Sequence, residues 1–111
     1  MNAYEIPGLR YSLPAGGAVE RHRFVTVDEN SSGIQAVADS NIIGVSMNKT
    51  SAGQVLEIAD GIVMVEAAKA VTAGKIAYAD ADGKVTDTGT VVAGIVITSA
   101  VAGGLAAVKI N

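Results

Sequence analysis

Residues 91–110 read Val91-Val92-Ala93-Gly94-Ile95-Val96-Ile97-Thr98-Ser99-Ala100-Val101-Ala102-Gly103-Gly104-Leu105-Ala106-Ala107-Val108-Lys109-Ile110. A β-branched run opened by Gly94, a turn at Gly103-Gly104 and an apolar closing run make two short strands joined by a tight connection. Fifty residues upstream the pattern recurs: Gly44-Val45 stands where Gly94-Ile95 does, and Ala52-Gly53 where Ala102-Gly103 does. Val55-Leu56-Glu57-Ile58 closes one copy and Ala107-Val108-Lys109-Ile110 the other. Before them, Val25-Thr26-Val27-Asp28 and Ala77-Tyr78-Ala79-Asp80 hold corresponding places, each followed by a polar turn containing Gly33 or Gly83. The chain reads as two pseudo-repeated β-units, about 24–58 and 76–110, with 59–75 as connector. Neither unit can bury its apolar face alone, so closure of one on the other into a small β-barrel or tulip-like domain is the expected fold.

Composition agrees with an all-β reading. Thirteen Gly are spread through 111 residues, and Val, Ile and Thr are abundant. These favour short strands and frequent turns over long helices. Candidate strands are 24–28, 34–38, 42–47, 54–59, 61–67, 75–80, 84–87, 92–98 and 105–110, with a turn expected at Asp60-Gly61 among others. Residues 66–73, Glu66-Ala67-Ala68-Lys69-Ala70-Val71-Thr72-Ala73, have the propensity for one short helix stopped by Gly74. Residues 1–18 contain Pro7, Gly8, Pro14, Gly16 and Gly17 and read as an extended N-terminal arm, leaving 19–111 as the single β domain.

The same composition excludes several functions. Charged residues are 17% of the chain and the net charge is −3, too mild and dispersed for nucleic acid or an anionic membrane. With no Cys there is no disulfide framework, no Cys-ligated zinc and no thiol chemistry. The N-terminus lacks the pattern of a signal peptide, so synthesis in a cytoplasm is expected.

Catalytic candidates are scarce. A triad needs a base near neutral pKa, and the single His, His22, lies between Arg21 and Arg23 with no local carboxylate to orient it. A surface or interface role is the better reading. Asp80-Ala81-Asp82-Gly83 opens like a calcium loop, but position twelve is Val91 rather than Glu, so it is read as a hairpin turn. No Gly-rich loop carries the ending that grips a nucleoside phosphate, and four aromatic residues are too few for a base-stacking platform. Met47-Asn48-Lys49 follows a strand in a pseudo-symmetric domain, as in biotinyl and lipoyl carriers, but its flanking residues differ from an attachment pattern. Neither a cofactor nor a metal is expected.

Taken in order, Pro7-Gly8, Pro14-Ala15-Gly16, Phe24-Val25-Thr26-Val27, Ile43-Gly44-Val45, Ala52-Gly53, Asp60-Gly61-Ile62-Val63, Val71-Thr72-Ala73-Gly74-Lys75-Ile76-Ala77-Tyr78, Asp82-Gly83-Lys84-Val85, Ala93-Gly94-Ile95-Val96 and Val108-Lys109-Ile110 resemble the capsid decoration, or head cement, proteins of tailed bacteriophages. Glu20-Arg21-His22-Arg23 departs from the family's pattern, where a Gly turn often stands. The resemblance implies a structural virion protein with no catalytic role. It implies subunits, often trimers, that bind the outer surface of the expanded head at or near three-fold and quasi-three-fold positions and brace capsomers of the major capsid protein.

On that view Tyr4, Ile6, Pro7, Leu9 and Tyr11 of the arm are the candidate capsid anchor, and Arg21, His22 and Arg23 a cluster able to grip acidic groups on a partner or a neighbouring subunit. The alternative for the arm is an edge strand within its own subunit or trimer; for the cluster, a solvated turn. Two other functions remain open: a head-fibre or tail-associated host-recognition module, and a carrier domain modified on Lys49.

Overall fold

A computed structural model describes residues 6–110. Among them lie nine strands and no helix: β1 (Ile6–Pro14), β2 (Phe24–Val27), β3 (Gly33–Gln35), β4 (Gly44–Ser46), β5 (Val55–Glu66), β6 (Ile76–Ala79), β7 (Val85–Thr86), β8 (Gly94–Val96) and β9 (Leu105–Ile110). The sheet runs β3-β2-β4-β5-β9-β8-β6-β7 with antiparallel neighbours, and β1 pairs with β5. The all-β, barrel-like expectation is met.

The repeat is carried by the hydrogen bonding and goes further than the sequence pattern. The first half of β5 pairs with β1 as β9 pairs with the second half of β5. Tyr11 and Leu13 face Ile58 and Leu56; Val63 and Val65 face Val108 and Ala106. Bridges Ala15 to Gly33 and Val19 to Thr50 recur as Ala67 to Val85 and Val71 to Ala100. Asp28 Oδ1 accepts the amides of Asn30 and Ser32, and Asp80 Oδ1 those of Asp82 and Lys84, so both β-hairpin turns are held by the same side chain. β5 therefore serves as the last strand of one unit and the first of the next.

Three expectations are corrected. Asp60-Gly61 is no turn: β5 passes straight through it over 12 residues. Its turn chemistry serves the neighbouring strand instead. The β1–β5 register shifts between Pro7 and Arg10, and Asp60 Oδ1 accepts the Leu9 amide at 2.8 Å across that irregularity. Residues 61–66 are strand, as the candidate strand at 61–67 expected, and the connector read over 59–75 is thus sheet as far as Glu66. The short helix at 66–73 does not form, because Glu66 ends β5 and Ala67 and Val71 are buried and bridged to other strands. Helical propensity is a weak preference and tertiary pairing overrides it.

Among the described residues two apolar clusters form the core. The smaller joins Ala15, Val19, Val25, Leu56 and Ile58, with Tyr11, Leu13 and Ile43 packed against it. The larger joins the interior of the second unit to Phe24, Val45 and Ala59 of the first. Polar stitches cross the same boundary. The Phe24 amide donates to Gly83 O at 2.7 Å, and Gln35 Nε2 donates to Asp82 O at 2.9 Å. The Thr90 amide donates to Asp39 at 3.1 Å, and the Thr90 hydroxyl donates to the same carboxylate. These bonds, the hydroxyl's first, hold the Asp39 carboxyl below its ordinary value.

Candidate docking surface

The expected partner-binding residues fall into different environments. Tyr4 lies outside the described residues. Ile6 and Pro7 begin β1, their backbones opposite Ile62 and Gly61. Leu9 sits at the register shift and is 58% exposed. Tyr11 is half-buried on the smaller cluster, and its hydroxyl donates to Ile43 O at 3.0 Å. Burial, and then the charge of Asp60, push its phenol above the ordinary tyrosine value. The described part of the arm is therefore a strand of its own subunit that presents Leu9.

Arg21, His22 and Arg23 do not form one basic surface. Arg21 is exposed. His22 has φ +62°, its amide donates to Ser46 O at 3.0 Å and its carbonyl accepts the Glu66 amide at 3.0 Å, so the residue makes a sharp backbone step locked to β4 and β5. Arg23 turns inward: Nη1 donates to Asp82 O at 3.1 Å and Nη2 lies 3.6 Å from Glu66 Oε1. Lys84 Nζ approaches the other oxygen of Glu66 at 3.2 Å. Burial raises the Glu66 carboxyl, but the Lys84 hydrogen bond and the charges of Arg23 and Lys84 outweigh it, and the net position is below the ordinary glutamate value. This Arg23–Glu66–Lys84 group fastens the two units together.

A surface that sequence reading missed lies on the second unit. Ile76 of β6 stands opposite Ile95 of β8, Ile95 opposite Lys109 of β9, and Lys109 opposite Ile62 of β5. Cross-strand partners share a face, so the four form one row across four strands. Ile76 is 46% and Ile95 47% exposed, and Lys109 is exposed as well. Beside Ile76 a shallow concavity of about 330 Å³ is lined by Thr72, Lys75, Ile76, Tyr78 and Asp87, among others. The corresponding residues of the first unit are Phe24, Val45 and Ala59, which lie 52, 50 and 50 residues upstream of Ile76, Ile95 and Lys109; the sequence alignment of Val55–Ile58 with Ala107–Ile110 had set Glu57 against Lys109, two residues out of the register the strands adopt.

Residues 5–110 match the family described as phage cement protein. The chain is also similar in structure to the head fiber N base of bacteriophage phi29, with a TM-score of 0.77, 16% sequence identity and 93% of each chain covered. At that identity the likeness is one of fold. No curated protein sequence matches the chain.

Proposed function

The chain belongs to the phage cement protein family, a structural component of the virion bound to the capsid, and on that premise we propose that it decorates the outer surface of the expanded head as a homo-oligomer, a trimer, bracing neighbouring copies of the major capsid protein. The observation that carries this reading is the extent of the match. It runs from residue 5 to residue 110, and so takes in every strand from β1 to β9. Catalysis has no part in it. Small β domains with modest cores gain stability from association, because a partner that binds only the folded state adds its binding free energy to folding. Leu9 and Arg21, exposed near the N-terminus, are available as secondary contacts; Tyr11 and Arg23 act within the subunit.

The test is reconstitution. Purified protein is mixed with expanded heads that lack it, the heads are sedimented, and the free protein is weighed by native mass spectrometry. Co-sedimentation at a fixed stoichiometry, with a discrete oligomer in solution, is the expected result. A protein that stays in the supernatant with saturating heads would defeat the reading.

A head-fibre base is the second reading, favoured by the likeness to the phi29 base over 93% of both chains. Imaging of reconstituted heads separates the two, since a cement protein leaves a low knob and a fibre base carries a projection beyond it.

A further inference from the structure

The two units use equivalent rows of their sheets in opposite ways. In the first, Phe24, Val45 and Ala59 stand side by side across β2, β4 and β5, and all three are fully buried. In the second, the corresponding Ile76, Ile95 and Lys109 face solvent. The same holds beside the row: Ile42 packs on the larger cluster, whereas Val92, fifty residues on, is 37% exposed.

What covers the first row is the interior of the second unit, and side-chain volume explains why. Where the first unit places Tyr11, Leu13, Val25, Ile43, Leu56 and Ile58 toward its own interior, the second has Val63, Val65, Ala77, Ala93, Ala106 and Val108. The first unit fills itself. The second is lined by small residues, and Phe24 takes the space they leave, as close packing requires. An intact second copy therefore has no vacant cradle to offer the exposed row, because both of its interiors are already occupied. A second copy therefore cannot cover this row by repeating the nesting of one unit in the other.

Charge specifies what can cover the row. Five of the eight basic side chains, Arg10, Arg23, Lys49, Lys69 and Lys84, are ion-paired within the subunit. Among the described residues Arg21, Lys75 and Lys109 have no such partner. Two of those three belong to this face: Lys109 is a member of the row and Lys75 adjoins Ile76. Two copies meeting face to face would bring these lysines together, and like charges at an interface are repulsive.

From the vacant row and its unpaired lysines we infer that Ile62, Lys109, Ile95 and Ile76, with Lys75 at the edge, form the face that docks on the phage shell, against an aliphatic surface bearing carboxylates opposite Lys75 and Lys109. The inference rests on the cement reading above and names the surface that serves it. Isoleucines supply the apolar contact, and the lysines fix orientation and exclude partners without acidic groups.

The experiment titrates full-length protein onto expanded heads that lack it, comparing wild type with Lys109→Glu, Ile95→Thr and the charge-matched control Lys49→Glu, each checked by thermal melting and native mass spectrometry. Wild type is expected to bind with an affinity that falls as salt rises. Lys109→Glu is expected to bind at least about tenfold more weakly, since reversing an interface charge both removes an attraction and adds a repulsion. Ile95→Thr should weaken binding too, while Lys49→Glu stays within about twofold of wild type. Wild-type binding with Lys109→Glu and Ile95→Thr unchanged overturns the face and leaves the cement reading standing. Equal weakening by Lys109→Glu and Lys49→Glu also overturns it, because net charge alone would then be responsible. Loss of the oligomer in Ile95→Thr assigns the row to contacts between copies and overturns shell docking. If wild type itself fails to bind, the cement reading falls and this face falls with it.

Discussion

Gly94 of β8 lies so close to Lys109 of β9 that a Cβ on Gly94 would sit 2.0 Å from the Lys109 carbonyl oxygen. The equivalent glycine of the first unit, Gly44, would place its Cβ 2.7 Å from Ala59 O and 2.6 Å from Ile58 Cγ2. Neither obstacle at Ala59 or Lys109 is a flexible side-chain end. Both are backbone atoms inside the sheet, so the strands must separate to admit a methyl group. Gly94→Ala is expected to destabilise by about 3 kcal/mol or more, at the upper end of what overpacking does, and Gly44→Ala by somewhat less. Gly53→Ala is the comparison: its φ of +84° disfavours a side chain but nothing lies within 4 Å, so it should cost only about 1–2 kcal/mol. Urea unfolding ranks the three, and a Gly94→Ala protein no less stable than Gly53→Ala would contradict the close approach.

Phe24 and Ile76 occupy the same place in their units and differ in what covers them. Truncating Phe24, fully buried between the units, removes the side chain that fills the Ala- and Val-lined interior, and Phe24→Ala should cost about 3–5 kcal/mol. Ile76→Ala, at a side chain 46% exposed, should cost under about 1 kcal/mol. Denaturant midpoints with unchanged slopes measure both. Similar losses at the two positions would mean that the units do not nest as described.

These contrasts mark what the sequence could show. The repeat was legible because the glycines that permit strand approach and the turns that follow them recur at a fixed offset, and strand alternation placed the runs around them. The continuity of β5 was not legible, since Asp60-Gly61 has the composition of a turn and becomes part of a strand only because β1, β4 and β9 all pair along β5. Ala67 to Val71 has helical propensity that two bridges override. For the candidate surface the difficulty is of another kind. Arg23 reads as an available cation until Glu66 and Asp82, 43 and 59 residues away, are folded onto it. Ile76 and Ile95 read as core until the nesting of one unit in the other leaves them outside.

Glu66 gives the fold a dependence on acid. Its carboxyl sits below the ordinary value in the folded protein, held there by Lys84 and Arg23 against the opposing effect of burial. A folded value below the unfolded one, about 4.3 for glutamate, means that the stabilisation is fully present above the unfolded value and is lost as pH falls through the folded one. Glu66→Gln should therefore be less stable than wild type by a constant margin from pH 7 to about pH 5, and that margin should shrink below about pH 4. Urea titrations of both proteins across this range provide the check. A margin that stays constant into acid would show that the Arg23–Glu66–Lys84 group contributes nothing through its charge.

Asp28 and Asp80 make the same turn in the two units, yet their loss should not be equal. Each carboxylate accepts two backbone amides, at 3.0 and 2.9 Å for Asp28 and at 2.8 and 2.9 Å for Asp80. The Asp28 turn joins β2 to the edge strand β3 and leaves Glu29, Asn30 and Ser31 exposed. The Asp80 turn is pressed into the boundary between units, where Gly83 O accepts the Phe24 amide and Asp82 O accepts both Arg23 Nη1 and Gln35 Nε2. Removing the Asp80 side chain thus loosens its own turn and three bonds that depend on the turn's shape. A single hydrogen bond contributes about 0.5–1.5 kcal/mol, so Asp28→Ala should cost about 1 kcal/mol and Asp80→Ala about 2 kcal/mol or more. Asp80→Asn keeps an oxygen acceptor in place and should recover most of the difference. Amide hydrogen exchange gives the site-specific reading: in Asp80→Ala, protection of the Phe24 amide should fall, while in Asp28→Ala it should be unchanged. Equal loss of Phe24 protection in both variants would separate the Asp80 turn from the boundary between the units.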